Sequence, residues 1–134
     1  MSAPVLRFAG YAALFGVADL ARDILLPGAF TRTLAERNDP LPLCWQHRPE
    51  QVIGVVELAQ EDQRGLRIIA RIDNPSSRGA AALRDKSVTG LSFGYRARLY
   101  RFSREGRLLE ELDLFEVSLV THPLQHGARV HLVQ

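Results

Sequence analysis

The sequence predicts a mainly β fold with short helices (α+β): a small closed, mostly antiparallel barrel of six or seven strands, with two or three helices packed outside. Three observations carry this. Strand-like runs follow one another with no helix between most of them, which disfavours a doubly wound α/β sheet. Only two or three short stretches carry helix signals. The 134 residues, 46% of them hydrophobic, supply one core and not two, so one domain spanning residues 1–134 is expected. Charged residues make up 24% of the chain and are spread through it without repeats or low-complexity tracts, so extensive disorder is not expected.

The elements follow in order. Val5 to Phe15 is apolar and aromatic, punctuated by Gly10 and Gly16, and reads as an opening strand with a kink or bulge. Asp23 to Leu26 is a short strand broken by Pro27-Gly28. Ala29 to Arg37, with Phe30 and Leu34 four apart, reads as a short helix closed by Asn38-Asp39-Pro40. Leu41 to His47 is strand-like and meets the turn signal Arg48-Pro49-Glu50. Val52 to Leu58 and Leu66 to Ile72 form a hairpin around a polar loop ending in Gly65. Asn74 as N-cap with Pro75 at the first position opens a helix over Ser76 to Lys86. Val88 to Phe102 is a long strand, bent at Gly94, and Leu108 to Val120 is its antiparallel partner across Ser103-Arg104-Glu105-Gly106.

Composition narrows the function. A net charge of +2 and a pI near 9.1 are too mild to imply nucleic acid. Lys86 is the only lysine among seventeen basic residues, a bias that a GC-rich genome explains more simply than phosphate recognition. The single cysteine, Cys44, excludes an internal disulfide and a multi-cysteine zinc site and fits a reducing compartment. Met1 to Arg7 lacks a signal-peptide pattern, and no stretch has the length to span a bilayer. Neither a membrane nor nucleic acid is expected as a partner, and neither a metal nor an organic cofactor is needed.

The chemistry centres on Gly90-Leu91-Ser92-Phe93-Gly94. In a strand, Gly90, Ser92 and Gly94 share one face, so the Ser92 hydroxyl stands on a strip without Cβ atoms, open to a substrate main chain and a neighbouring imidazole. The pattern also matches the G-x-S-x-G nucleophile elbow, but Tyr95 to Tyr100 continues as a strand where an elbow requires a helix. His47, at the end of its strand, is the candidate base; the competing reading is an exposed turn histidine. His122, His126 and His131 cluster near the C-terminus. Alternation in Leu112 to Ser118 puts Leu112, Leu114, Glu116 and Ser118 on one face, making Glu116 a candidate for the group that orients the base. Its competing reading is a rim ion pair with one of the arginines. A metal site using Cys44 with His47, or His122 with His126, is weak because strand alternation separates the first pair and no second pair has a reliable spacing. Arg96, Arg98, Tyr100 and Arg101 would serve a nucleic-acid-binding barrel, against the simpler reading of a solvated face.

Leu26-Pro27-Gly28-Ala29-Phe30, Trp45-Gln46-His47, Gly90 to Tyr95 and Glu116-Val117-Ser118-Leu119-Val120-Thr121-His122-Pro123, in that order, resemble the tailed-phage prohead maturation proteases, from about Gly10 to Val130. The resemblance implies a serine endopeptidase with a fold like that of the herpesvirus assemblins and a Ser-His-Glu triad falling on Ser92, His47 and Glu116. The implied substrates are the scaffold segment of the major capsid protein and the protease itself. The implied setting is the immature capsid in the bacterial host cytoplasm, encoded by a phage, a prophage or a gene transfer agent, with homodimerisation or confinement raising a weak basal activity. Analogy assigns oxyanion donors to the turn after Val120. Beyond Pro123 the family usually continues with a small residue and asparagine, whereas this chain has Leu124-Gln125-His126, and no role is carried over to that loop.

Overall fold

A computed structural model of the chain describes residues 5–134; the reading of the first four residues as free of a signal lies outside them. Eight strands and two helices follow in the order β1 (Leu6–Leu14), β2 (Asp23–Leu25), α1 (Thr31–Glu36), β3 (Leu41–Trp45), β4 (Arg48–Glu61), β5 (Gly65–Ile72), α2 (Arg78–Arg84), β6 (Gly90–Phe102), β7 (Arg107–Val120) and β8 (Val130–Val133). The strands form one sheet in the order β2-β7-β3-β4-β5-β1-β8, with β6 on the other edge of β7. Pairing is antiparallel except where β2 and β3 each run parallel to one end of β7. The fold class is the expected one, with a short eighth strand beyond the six or seven that the sequence predicts.

Closure is partial. Among the described residues β6 pairs with β7, and the lead into β8 meets only the start of β6, where the Leu91 N–H donates to the Ala128 carbonyl (2.9 Å) and the Val130 N–H to the Thr89 carbonyl (2.9 Å). The result is a curled sheet rather than the closed ring predicted. Glycine permits the approach at the seam, since a Cβ on Gly10 would sit 2.4 Å from the Arg129 carbonyl oxygen.

Alternation places the core. Leu66, Ile68, Ala70 and Ile72 of β5 are fully buried at period two, while their neighbours are half exposed. Each such leucine or isoleucine contributes about 1.5–3 kcal/mol by leaving water. Leu91, Phe93, Val117 and Leu119 bring the inner faces of β6 and β7 into the same cluster, where Phe30 packs edge-on against Phe93. Helix α2 is shorter than predicted and is capped by Ser77, whose Oγ accepts from the Ala80 N–H (3.3 Å). Asn74 instead closes the preceding turn through the Ser76 N–H (2.9 Å).

Candidate active site on the outer face of β6 and β7

The first half of β6 pairs residue for residue with the end of β7: Gly90 with Val120, Ser92 with Ser118, Gly94 with Glu116. Leu91 and Phe93 turn into the core, so Gly90, Ser92 and Gly94 share the outer face, as predicted. The chain after Ser92 stays in strand, so the G-x-S-x-G spacing is no elbow here.

Glu116 reaches this face by a route that simple alternation misses. Gly94 pairs with Glu116 and the next residue, Tyr95, with Leu114, leaving Phe115 as one extra residue in β7. This bulge resets the parity of the strand. Leu112 and Leu114 lie in the core with Val117 and Leu119, while Glu116 and Ser118 face outward beside Ser92, correcting the prediction that all four predicted residues share a face.

His47 is delivered by a turn and not by a strand. Strand β3 ends at Trp45, which pairs with Arg48, so Gln46 and His47 are the two residues of a tight hairpin and Arg48-Pro49-Glu50 opens β4. Both have positive φ, 52° and 58°, as a type I′ turn requires. Asparagine and glycine are the usual occupants, and histidine tolerates this conformation better than most. Four hydrogen bonds pin the turn to the end of β7 and to Thr121 just after it. The Gln46 N–H donates to the Leu119 carbonyl (2.9 Å), and the Gln46 side-chain amide exchanges two hydrogen bonds with Thr121 (2.7 and 3.0 Å). The His47 N–H donates to Ser118 Oγ (3.2 Å).

The His47 ring then meets Glu116, Nδ1 to Oε1 at 2.7 Å, while Glu116 Oε2 accepts from Ser118 Oγ at 2.5 Å. Glu116 is 17% exposed and His47 37%, so the pair sits at the border of solvent. With Nδ1 donating to the carboxylate, the basic lone pair of a neutral imidazole lies on Nε2. Ser92 is 2% exposed, and its Oγ is buried without a hydrogen-bond partner. The structure thus brings His47 and Glu116 into contact and sets Ser92 opposite Ser118 on the same face, but the bond between the Ser92 hydroxyl and the imidazole is not made.

The strip around Ser92 is not bare, contrary to prediction. A Cβ on Gly94 would lie 2.5 Å from Glu116 Oε1, and one on Gly90 would lie 2.6 Å from the Val120 carbonyl oxygen and 2.8 Å from Pro123 Cδ. The glycines make room for the protein's own carboxylate and loop. In the turn after Val120, the Thr121 N–H is committed to Gln46 and Pro123 carries none, so neither serves the oxyanion role assigned by analogy.

The remaining candidates fall elsewhere. Cys44 is buried beside Ser118 on β3; burial pushes its thiol up, and the negative charges of Glu116 and Glu50 add to the effect. Among the described residues no group of three His, Cys, Asp or Glu is arranged to hold a metal. Arg96 and Arg98 both bond Asp113 at 3.1 Å, and Arg101 bonds Glu110 at 2.8 Å, so the arginine stripe is largely occupied by its own carboxylates. His131 lies edge-on to Tyr11, His126 Nδ1 faces Arg129, and His122 lines a shallow surface pocket with Thr121 and Arg129. Sequence reasoning gave no role to Gln46, Ser118 or Gln125. Gln125 is a buried clamp whose amide bonds both the N–H and the carbonyl of Leu14 (2.7 and 2.8 Å). No local motif marks it, because its partner lies at the other end of the chain.

Comparisons with known proteins agree with this architecture. The family described as caudovirus prohead serine protease matches residues 2–134. The prohead protease of Enterobacteria phage HK97 is 30% identical over 131 residues, covering 92% of this chain and 58% of that protein. Among solved structures, varicella-zoster virus protease superposes with a TM-score of 0.69 at 18% identity, covering 98% of this chain and 64% of that one. The bacteriophage T4 capsid assembly protease gives 0.70 at 16% identity, covering 90% and 85%. The chain therefore spans less than two thirds of the HK97 and varicella-zoster proteins. With nearly its whole length matched, it belongs to the caudovirus prohead serine protease family.

Proposed function

We propose that this chain is a serine endopeptidase of a phage-type prohead maturation system, acting through Ser92, His47 and Glu116. The observation that carries the reading is the His47–Glu116 contact at 2.7 Å, on the same strand face as a serine hydroxyl that has no hydrogen-bond partner. Glu116 orients the imidazole and stabilises the imidazolium. His47 Nε2 takes the Ser92 proton as Oγ bonds to the peptide carbonyl carbon. Collapse of the tetrahedral adduct breaks the C–N bond, with the proton passing to the leaving amine, and water then releases the acyl group by the same steps. No metal or cofactor takes part.

Family membership supports the scaffold segment of the major capsid protein, and the protease itself, as substrates, and the interior of the immature capsid in the host cytoplasm as the place of action. A protease kept in that setting gains from being weak when dilute and stronger when confined or paired with a second copy. Ser92→Ala is expected to keep the circular dichroism spectrum and abolish both cleavage of the capsid precursor and labelling by a fluorophosphonate. Full activity in that variant sinks the proposal.

A further inference from the structure

We propose that Ser118 is a positioning residue of this reaction, locking the Glu116 carboxylate and the His47 turn into one rigid unit; the inference rests on the triad reading above. Ser118 has no exposed surface, and its hydroxyl does two things at once: it accepts from the His47 N–H (3.2 Å) and donates to Glu116 Oε2 (2.5 Å). Each bond answers a specific problem. A glutamate side chain has three torsions to fix, and one hydrogen bond from the imidazole leaves the carboxylate free to exchange its oxygens. Holding Oε2 from its own strand two residues away dedicates Oε1 to Nδ1. The left-handed turn, meanwhile, presents the His47 N–H outside the ladder, and Ser118 Oγ satisfies it.

Few side chains suit the position. Alanine offers neither bond, and threonine adds a methyl group where no surface is free. A single oxygen thus ties the Glu116 carboxylate to the backbone of the turn that carries the imidazole. Gly94 completes the arrangement by leaving the space that Oε1 occupies.

The test uses the full chain and a fluorophosphonate probe of Ser92, with nitrogen-15 histidine labelling to follow the imidazole Nδ1–H resonance. Ser118→Ala is expected to keep the wild-type melting temperature within a few degrees, slow labelling about 100-fold, as a displaced catalytic group does, and abolish the downfield Nδ1–H signal. In a Glu116→Ala background the same substitution should slow labelling much less, because the bond to the carboxylate is already gone and only the bond to the His47 N–H is left to lose. Should Ser118→Ala not fold, Ser118→Cys, close in volume and a weak donor, is expected to give an intermediate rate. A wild-type rate and resonance in Ser118→Ala, or an equal further loss in the Glu116→Ala background, overturns the inference. Labelling that persists in Ser92→Ala instead removes the triad reading, and the Nδ1–H resonance alone then reports whether Ser118 positions Glu116 against His47.

Discussion

Ser92 carries a hydroxyl that has left water without gaining a partner, which costs about 1–3 kcal/mol in ordinary core positions. Alanine at this site removes the unsatisfied oxygen and one small volume, so Ser92→Ala is expected to be more stable than the parent by about 1 kcal/mol, read as a raised midpoint in chemical denaturation; a less stable variant would show that the oxygen is bonded in solution. Gly94 is constrained from the other direction. A methyl group there would lie 2.5 Å from Glu116 Oε1, so Gly94→Ala should drive the carboxylate off the imidazole and slow phosphonate labelling about 100-fold while the fold persists. Unchanged labelling would mean that Glu116 has another productive position.

Two elements decide where the site residues point, and both were opaque in the sequence for the same reason. Period-two reading predicted the serine face of β6 correctly because Gly90 to Gly94 has no irregularity. It failed one strand over, where Phe115 adds a residue that nothing local announces; a half-exposed phenylalanine in a strand looks ordinary. It failed again at Gln46-His47, because a two-residue left-handed turn is legible when it reads Asn-Gly and not when tertiary contacts to Leu119, Ser118 and Thr121 enforce it. Ser92, His47 and Glu116 are nonetheless legible as candidates from the chemistry of the residues and from the order of the motifs. The Pro123 to Ala128 loop shows a further kind of hidden link. Gln125→Ala would strand the N–H and carbonyl of Leu14, and is expected to cost about 1–3 kcal/mol in thermal or chemical unfolding; a neutral effect would mean that water replaces the amide.

For the molecule as a whole, fold class and the hairpin order follow from alternation and turn chemistry, while the open curl of the sheet does not, since closure depends on strand twist and register that no local pattern encodes. Global stability should also respond to acid through a buried network. Burial alone would raise the Asp23 carboxyl, but the Arg107 guanidinium (2.8 and 3.0 Å) and the Tyr95 hydroxyl outweigh it and hold the group below the ordinary range. A carboxyl depressed in the folded state contributes its stability fully above the unfolded value, about 3.9, and loses it as pH falls through the lower folded value. Melting temperature is therefore expected to fall below about pH 4, more steeply in the parent than in Asp23→Asn; identical acid limbs would assign the effect to other carboxylates.

The shielding of Ser92 bears on timing. On the proposed mechanism a peptide carbonyl must come within roughly 3–3.5 Å of the Ser92 oxygen, yet here that atom exposes almost no surface to solvent. Under the proposed reading, bond cleavage waits for the local structure to breathe, and whatever favours the breathed form, whether a docked chain or a crowded shell, sets the pace.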